Sequence, residues 1–242
     1  DNIGHVRNVG VELQLNTVNV QTKDFTWETG FTFSKNHNEL IELYGGKKDD
    51  VTNKWFIGEP IDVNYDYVFD GIWQTDEAEQ AAVYGQKPGQ VKVRDIDGNK
   101  VIDADDKQIL GQRSPKWIGS ITSTFRYKDF DLSVYLYTQQ GAQVQDAFMS
   151  SFMTFEGNYN QLDVDYWTEN NPSNEFPQPG NKGKYYDTMR YIDVSFVRVG
   201  SITLGWNIPK EWTKKIGIKN ARLYLTTNNP FTFSSYKGFD PE

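Results

Sequence analysis

The sequence predicts an all-β fold made of antiparallel hairpins. Three observations lead there. Aromatic residues make up 15% of the 242 residues and are accompanied by 20 glycines and 9 prolines, a mixture that suits turn-rich sheets better than helical bundles. Apolar and polar residues alternate with a period of two in successive segments. Short turns and long polar connections alternate along the chain.

The first hairpin joins residues 6–21 to 25–35. Val9, Val11, Leu13 and Leu15 alternate with Gly10, Glu12, Gln14 and Asn16, and after the turn Thr22-Lys23-Asp24 one face carries Phe25, Trp27, Thr29, Phe31 and Phe33. The second joins 115–127 to 130–140 at Lys128-Asp129, with Phe130, Leu132, Val134 and Leu136 in phase. Lys-Asp-Phe occurs at both turns. The third pairs 189–207, where Ile192, Val194, Phe196, Ile202, Leu204 and Trp206 are in phase, with 219–229. Asn207-Ile208-Pro209 and Asn229-Pro230 read as strand terminators.

Between the hairpins lie two long stretches, residues 36–115 and 141–188. If the two Lys-Asp turns share one side of a sheet, the strand starting at Phe25 and the strand ending at Tyr127 run in opposite senses. An even number of spanning strands then separates them, so 36–115 is one excursion with a short strand inside it at 62–73. Six spanning strands result, with short turns at one end and long loops at the other. That is the pattern of a segment of a transmembrane β-barrel, apolar toward lipid and polar toward the lumen. A soluble β-sandwich alternates in the same way, and alternation does not say whether the apolar face meets lipid or a second sheet.

The formal net charge of −8 and the lack of a basic stripe argue against nucleic-acid binding. With no cysteine and only His5 and His37, thiolate chemistry is excluded and histidine catalysis is poorly supplied. No apolar run approaches the roughly 20 residues of a membrane-spanning helix, which leaves barrel strands open. The chain starts at Asp1 without a signal-peptide pattern and reads as a mature piece or fragment.

RDIDGNKVIDADDKQILG, residues 94–111, carries the densest acidic cluster. Counted from Asp95, oxygens fall at Asp95, Asp97, Asn99, the Val101 carbonyl, Asp103 and Asp106, the spacing with which an EF-hand-type loop (95–106) turns ligands around Ca2+. Carboxylates this close repel unless a divalent cation neutralises them. Lys100 stands where the turn wants Gly, and Asp106 is one methylene shorter than the usual Glu. The competing reading is a solvated acidic turn held by Asx bonds and by Lys100 and Lys107. An ion here would be structural, so no catalytic residue is assigned and no enzyme is expected.

Loop aromatics, chiefly Trp73, Tyr84 and Trp167, are candidates for contact with substrate; they are equally candidates for loop cores. Asp163, Asp165 and Glu169 would make a glycosidase only if two carboxyls faced each other about 5 to 10 Å apart.

Seven segments resemble, in order, the C-terminal part of the barrel of the SusC-like (SusC/RagA) TonB-dependent outer-membrane transporters of Bacteroidetes. They are VRNVGVELQL (6–15), FDGIWQTDEAE (69–79), KPGQVKVRDIDGNKVIDADDKQILGQRSPKW (87–117), YKDFDLSVYLYTQQG (127–141), DYWTENNPSNEFP (165–177), YIDVSFVRVGSITLGWNIP (191–209) and LYLTTNNPFTFSSYKGFDPE (223–242). The resemblance implies about six strands of a larger, plugged 22-stranded barrel. It also implies an acidic loop on the extracellular side, a SusD-like surface lipoprotein as lid, and coupling to the TonB complex through an N-terminal region absent here. Oligosaccharide or peptide import is the implied activity. The alternative from another class is a soluble, calcium-stabilised β-sandwich that binds carbohydrate.

Overall fold

The computed structural model describes residues 4–146, 152, 163–181 and 183–242. Twelve strands are described: β1 Gly4–Gln21, β2 Phe25–Leu43, β3 Val63–Tyr67, β4 Phe69–Ile72, β5 Val91–Val93, β6 Lys107–Gln112, β7 Trp117–Tyr127, β8 Phe130–Gln140, β9 Gln143–Gln145, β10 Tyr191–Asp193, β11 Phe196–Asn207 and β12 Arg222–Ser234. Six of them form one sheet in the order β1-β2-β7-β8-β11-β12, antiparallel at every step.

The register converts sequence alternation into rows that cross the whole sheet. One row reads Val20, Trp27, Phe125, Leu132, Leu204, Leu225. Another on the same face reads Leu15, Phe31, Ile121, Leu136, Val199, Phe231. Nearest the short turns the row is Phe25, Tyr127, Phe130, Trp206, Leu223, with Phe130 stacked on Trp206 at 6.0 Å between centroids. The opposite face is polar: Asn16, Gly30, Thr122, Tyr135, Ser201, Asn228 form one row and Val18, Glu28, Thr124, Ser133, Thr203, Thr226 the next. Opposed pairs of this kind each contribute about 0.2–1 kcal/mol, so whole rows specify the register.

No second sheet covers the apolar face among the described residues. Leu13 and Leu15 stand 52% exposed and Leu225 74%. The buried apolar cluster lies instead in the long loops, at Ile72, Val91, Val93, Trp167, Tyr185 and Tyr186. A β-sandwich requires the reverse, so the sandwich expectation is not met.

The two Lys-Asp turns are neighbours, because the Lys128 N–H donates to the Asp24 carbonyl at 2.9 Å; the Asn207 N–H donates to the Asp129 carbonyl at 2.8 Å. Four expectations are corrected. The second strand runs to Leu43 rather than 35, because Asn36–Glu39 pair with Arg7–Gly10, and the excursion starts correspondingly later. Residues 62–73 form two strands, β3 pairing with β6 and β4 with β5. Residues 191–193 leave the expected fifth strand and pair with β9. The sixth strand passes through Asn229-Pro230 to Ser234, with Asn229 left-handed at φ 48°. A proline is accepted there because β12 is the edge strand and the ladder is interrupted at that point.

That interruption lies opposite Gly200, where β11 shifts register against both neighbours. The bulge inverts side-chain parity. Phe196, expected in phase with Ile202 and Leu204, therefore falls on the polar face, opposite Gln139, where it is buried. A Cβ on Gly200 would lie 2.7 Å from Tyr135 Cδ1. Gly200→Val is expected to lower the stability of the protein by about 1–3 kcal/mol through overpacking, read as a shift of its urea midpoint. Adding Tyr135→Ala should recover part of that loss; no recovery would contradict the bulge-packing account.

Candidate functional site

The excursion between β2 and β7 and the described part of the loop before β11 pack into one body. Residues 147–151, 153–162 and 182, within the expected second loop of 141–188, lie outside the described residues. Cross-links between the two stretches are explicit: Ile72 N–H donates to Asn174 Oδ1 (2.6 Å), Gln90 Nε2 to Asn181 Oδ1 (2.7 Å) and Tyr191 Oη to Asp66 Oδ2 (3.0 Å). Gly89, at φ 83°, lets the backbone pass under Trp167, whose ring would lie 2.7 Å from any Cβ. That position needs glycine on both counts.

Two of the candidates for substrate contact, Trp73 and Trp167, lie inside this packing. Trp73 is 4% exposed and its Nε1 donates to Gln86 Oε1 at 2.6 Å. Trp167 is 3% exposed and its Nε1 donates to Gln74 Oε1 at 3.0 Å. Both rings are sealed in the loop body, with their single polar atoms satisfied. Half-buried Tyr84 stacks on Trp73 at 5.9 Å and its hydroxyl donates to Asp95 Oδ2 at 3.1 Å. It ties the loop body to the acidic loop.

Within that loop the residues nominated from spacing play distinct parts. Asp95 Oδ1 accepts from the Gly98 N–H (2.7 Å) and Oδ2 from the Lys100 N–H (2.8 Å). Asp97 Oδ1 accepts from the Asn99 N–H (3.0 Å), and Asn99 Oδ1 from the Val101 N–H (2.6 Å). Asp103 Oδ1 caps the following turn at the Asp105 N–H (2.9 Å). Asp106 is fully buried; its oxygens accept from the Ile96 N–H (2.7 Å) and the Asp103 N–H (2.9 Å), closing the loop on itself. Carboxylate oxygens of Asp95, Asp97 and Asp106 all lie within 4.8 Å of one another, a donor set that suits a hard cation. Asp103 stands outside that trio.

The departure at Lys100 is absorbed by strain. Lys100 adopts φ 67°, the left-handed conformation for which the pattern uses glycine, at a cost of about 1–2 kcal/mol for a residue with a Cβ. Burial acts to raise the Asp95 carboxyl, but the Lys100 and Gly98 N–H groups and the Tyr84 hydroxyl outweigh it and hold it below the usual carboxylate range. The Tyr84 hydroxyl is pushed up by burial and by the Asp95 bond. Asp165, one of the glycosidase candidates, is held low by Asn171 and Ser173, the wrong direction for a general acid.

Sequence spacing did not single out a second charged cluster. Arg198, 3% exposed on the polar face, donates from Nη1 to Glu242 Oε2 (2.7 Å) and Tyr137 Oη (3.1 Å), from Nε to Thr232 Oγ1 (2.9 Å), and from Nη2 to Asp240. The segment after β12 thus folds back over the polar face. Tyr236 Oη donates to Asp146 Oδ2 (2.6 Å), which adds a tie to the second loop. The available signal was a cation in the same sequence phase as Phe196, Ile202 and Leu204, where an apolar residue is expected; the parity shift at Gly200 puts it on the polar face.

Lys100→Gly is expected to slow amide exchange through the acidic loop by relieving about 1 kcal/mol of backbone strain. Asp106→Ala should speed it sharply at Ile96 and Asp103, since each orphaned N–H costs about 1–3 kcal/mol. Because the Asp95 pKa is depressed, its contribution is present above the ordinary carboxylate range near pH 4 and is lost as pH falls through the folded value. Protection factors in the loop, which divide out the intrinsic pH dependence of amide exchange, should therefore fall on acidification below about pH 4.

No protein-family model matches the chain. Among curated relatives, TonB-dependent receptor P3 of Formosa agariphila is 31% identical over 258 residues, covering 100% of this chain and 26% of that protein. TonB-dependent receptor SusC of Bacteroides thetaiotaomicron is 30% identical over 253 residues, covering 100% and 24%. The chain thus spans about a quarter of the length of the curated relatives it matches. The structure of the RagAB peptide transporter superposes on 99% of this chain and 27% of that one, with TM-score 0.79 and 24% identity. Over its whole length the chain is thus similar to TonB-dependent receptors of the SusC kind, and its six-stranded sheet follows the fold of the corresponding stretch of the RagAB transporter.

Proposed function

We propose that this chain is the C-terminal portion of the barrel wall of an outer-membrane nutrient importer of the SusC type. Its apolar face meets acyl chains, its polar face lines the lumen, and its long loops stand on the extracellular side. The observation that carries this reading is the set of apolar rows that cross all six strands uncovered, with Thr, Ser, Asn and Tyr behind them. Spacing supports it. From Trp117 to Tyr127, β7 makes ten steps of about 3.4 Å, which at a tilt of about 45° gives roughly 24 Å of height, the thickness of an outer-membrane apolar band. The aromatic row at the short-turn end fits the girdle at one boundary.

The full receptor takes up oligosaccharides or peptides, energised through the TonB complex and working with a SusD-like surface lipoprotein that closes over the loops. The loop body, with its own core and its ties between the two stretches, is suited to such a contact because it presents a pre-ordered surface. In the acidic loop, Asp95, Asp97, Asn99, the Val101 carbonyl, Asp103 and Asp106 hold a structural Ca2+. The ion would relieve the repulsion among clustered carboxylates.

Two measurements test this reading. Val134→Arg, on the apolar face, should cost about 2–4 kcal/mol when the full-length receptor is refolded into vesicles, whereas Ser133→Arg, facing the lumen, should cost less than about 1 kcal/mol. Equal costs would remove the lipid-facing assignment. Calorimetric titration of the receptor with calcium should give chelator-reversible heat that Asp95→Asn plus Asp97→Asn abolishes; absence of that heat would remove the ion and leave the barrel reading intact.

A further inference from the structure

The connector between β11 and β12 plays no part in the reading above, yet its composition is unlike that of the rest of the chain. Residues 208–222 contain Lys210, Lys214, Lys215, Lys219 and Arg222 against the single acid Glu211, within a chain of formal net charge −8. The four lysines are exposed. Arg222 is paired with Asp131 at 2.7 Å, while none of the four lysines forms an ion pair among the described residues. Interleaved with them are Trp212, Ile216 and Ile218, exposed by 57%, 72% and 43%.

These side chains are held in place. The Thr213 N–H donates to the Pro209 carbonyl (3.3 Å) and the Ile218 N–H to the Thr213 carbonyl (3.0 Å), Thr213 is buried, and Gly217 at φ 74° ends the turn. Trp212 stands edge-on to Trp206, with centroids 6.0 Å apart and planes at 82°. Trp206 belongs to the aromatic row that ends the apolar face. The apolar side of the connector therefore continues that face past the last row of the sheet, and unpaired ammonium groups surround it.

An exposed tryptophan and two isoleucines are unfavourable in water, and four adjacent cations are unfavourable in hydrocarbon. The acyl–headgroup boundary of an anionic bilayer satisfies both: the rings and branched chains sit at its apolar edge, and lysine stems reach from there to phosphate. We infer that the connector 208–222 is a binding site for anionic phospholipid headgroups in the leaflet that the short turns face. This rests on the reading that the apolar sheet face meets lipid.

The absence of cysteine allows a test that separates the two ideas. A fluorophore is attached to Ile216→Cys, or to Leu15→Cys on the sheet face, in the full-length receptor with any cysteine outside this segment replaced. The receptor is reconstituted in phosphatidylcholine vesicles whose shallow-brominated component, at the same mole fraction, is either phosphatidylcholine or phosphatidylglycerol. The Leu15 label should be quenched in both. Quenching at Ile216 should rise roughly twofold with phosphatidylglycerol and lose that increment when Lys210, Lys214, Lys215 and Lys219 are changed to Gln. A quenched Leu15 label beside an Ile216 label indifferent to phosphatidylglycerol, or an increment that survives the Gln changes, overturns the headgroup site alone. An unquenched Leu15 label overturns the lipid-facing reading and the site with it.

Discussion

The antiparallel ladder that joins six neighbouring strands is what the rest of the molecule depends on. Backbone N–H and C=O groups are satisfied strand to strand, which is the condition for a polypeptide to leave water for hydrocarbon. Because side chains alternate, one register decision places every residue of every strand on one face or the other. Trp27, Phe125, Leu132, Leu204 and Leu225 become neighbours although they are dispersed over 199 positions of sequence numbering, from 27 to 225.

The loops follow a different rule. They have no ladder of comparable length, and their order comes from a small aromatic and aliphatic core and from side-chain amides that bridge separate stretches. The acidic loop hangs on that core through Tyr84 and closes on itself through Asp106. A charged cluster around Arg198 binds the segment after β12 to the polar face. The wall and the loop body are thus stabilised by separate means, and a lesion in one need not dissolve the other.

Legibility in the sequence divided along the same line. Six strands, their partners and the shared side of the Lys-Asp turns were readable from a period of two and from short turns, because those signals are local. The extension of β2 through Asn36, His37 and Asn38 was hidden, since polar residues on both faces carry no alternation and only the partner strand reveals pairing. Pro230 reads as a stop wherever the chain must donate a ladder bond, and the sequence does not say that β12 is an edge. Trp73 and Trp167 look like exposed loop aromatics because loop cores have no periodicity; their burial depends on contacts across about a hundred residues. The acidic spacing was plain, and so was the turn position that Lys100 occupies in place of Gly; that the chain accepts φ 67° there is visible only in the structure.

The irregularity at Gly200 has a consequence for how this wall can vary. An added or missing residue reverses the sidedness of everything between it and the strand end, and no exchange of side chains can undo that. Phe196 and Arg198 reach the watery side of the sheet only because the count is odd by one there. Lineages that gain or lose a position at this point must compensate with a second length change nearby, so the spacing between Val199 and Leu204 is expected to drift far less than the residues that fill it.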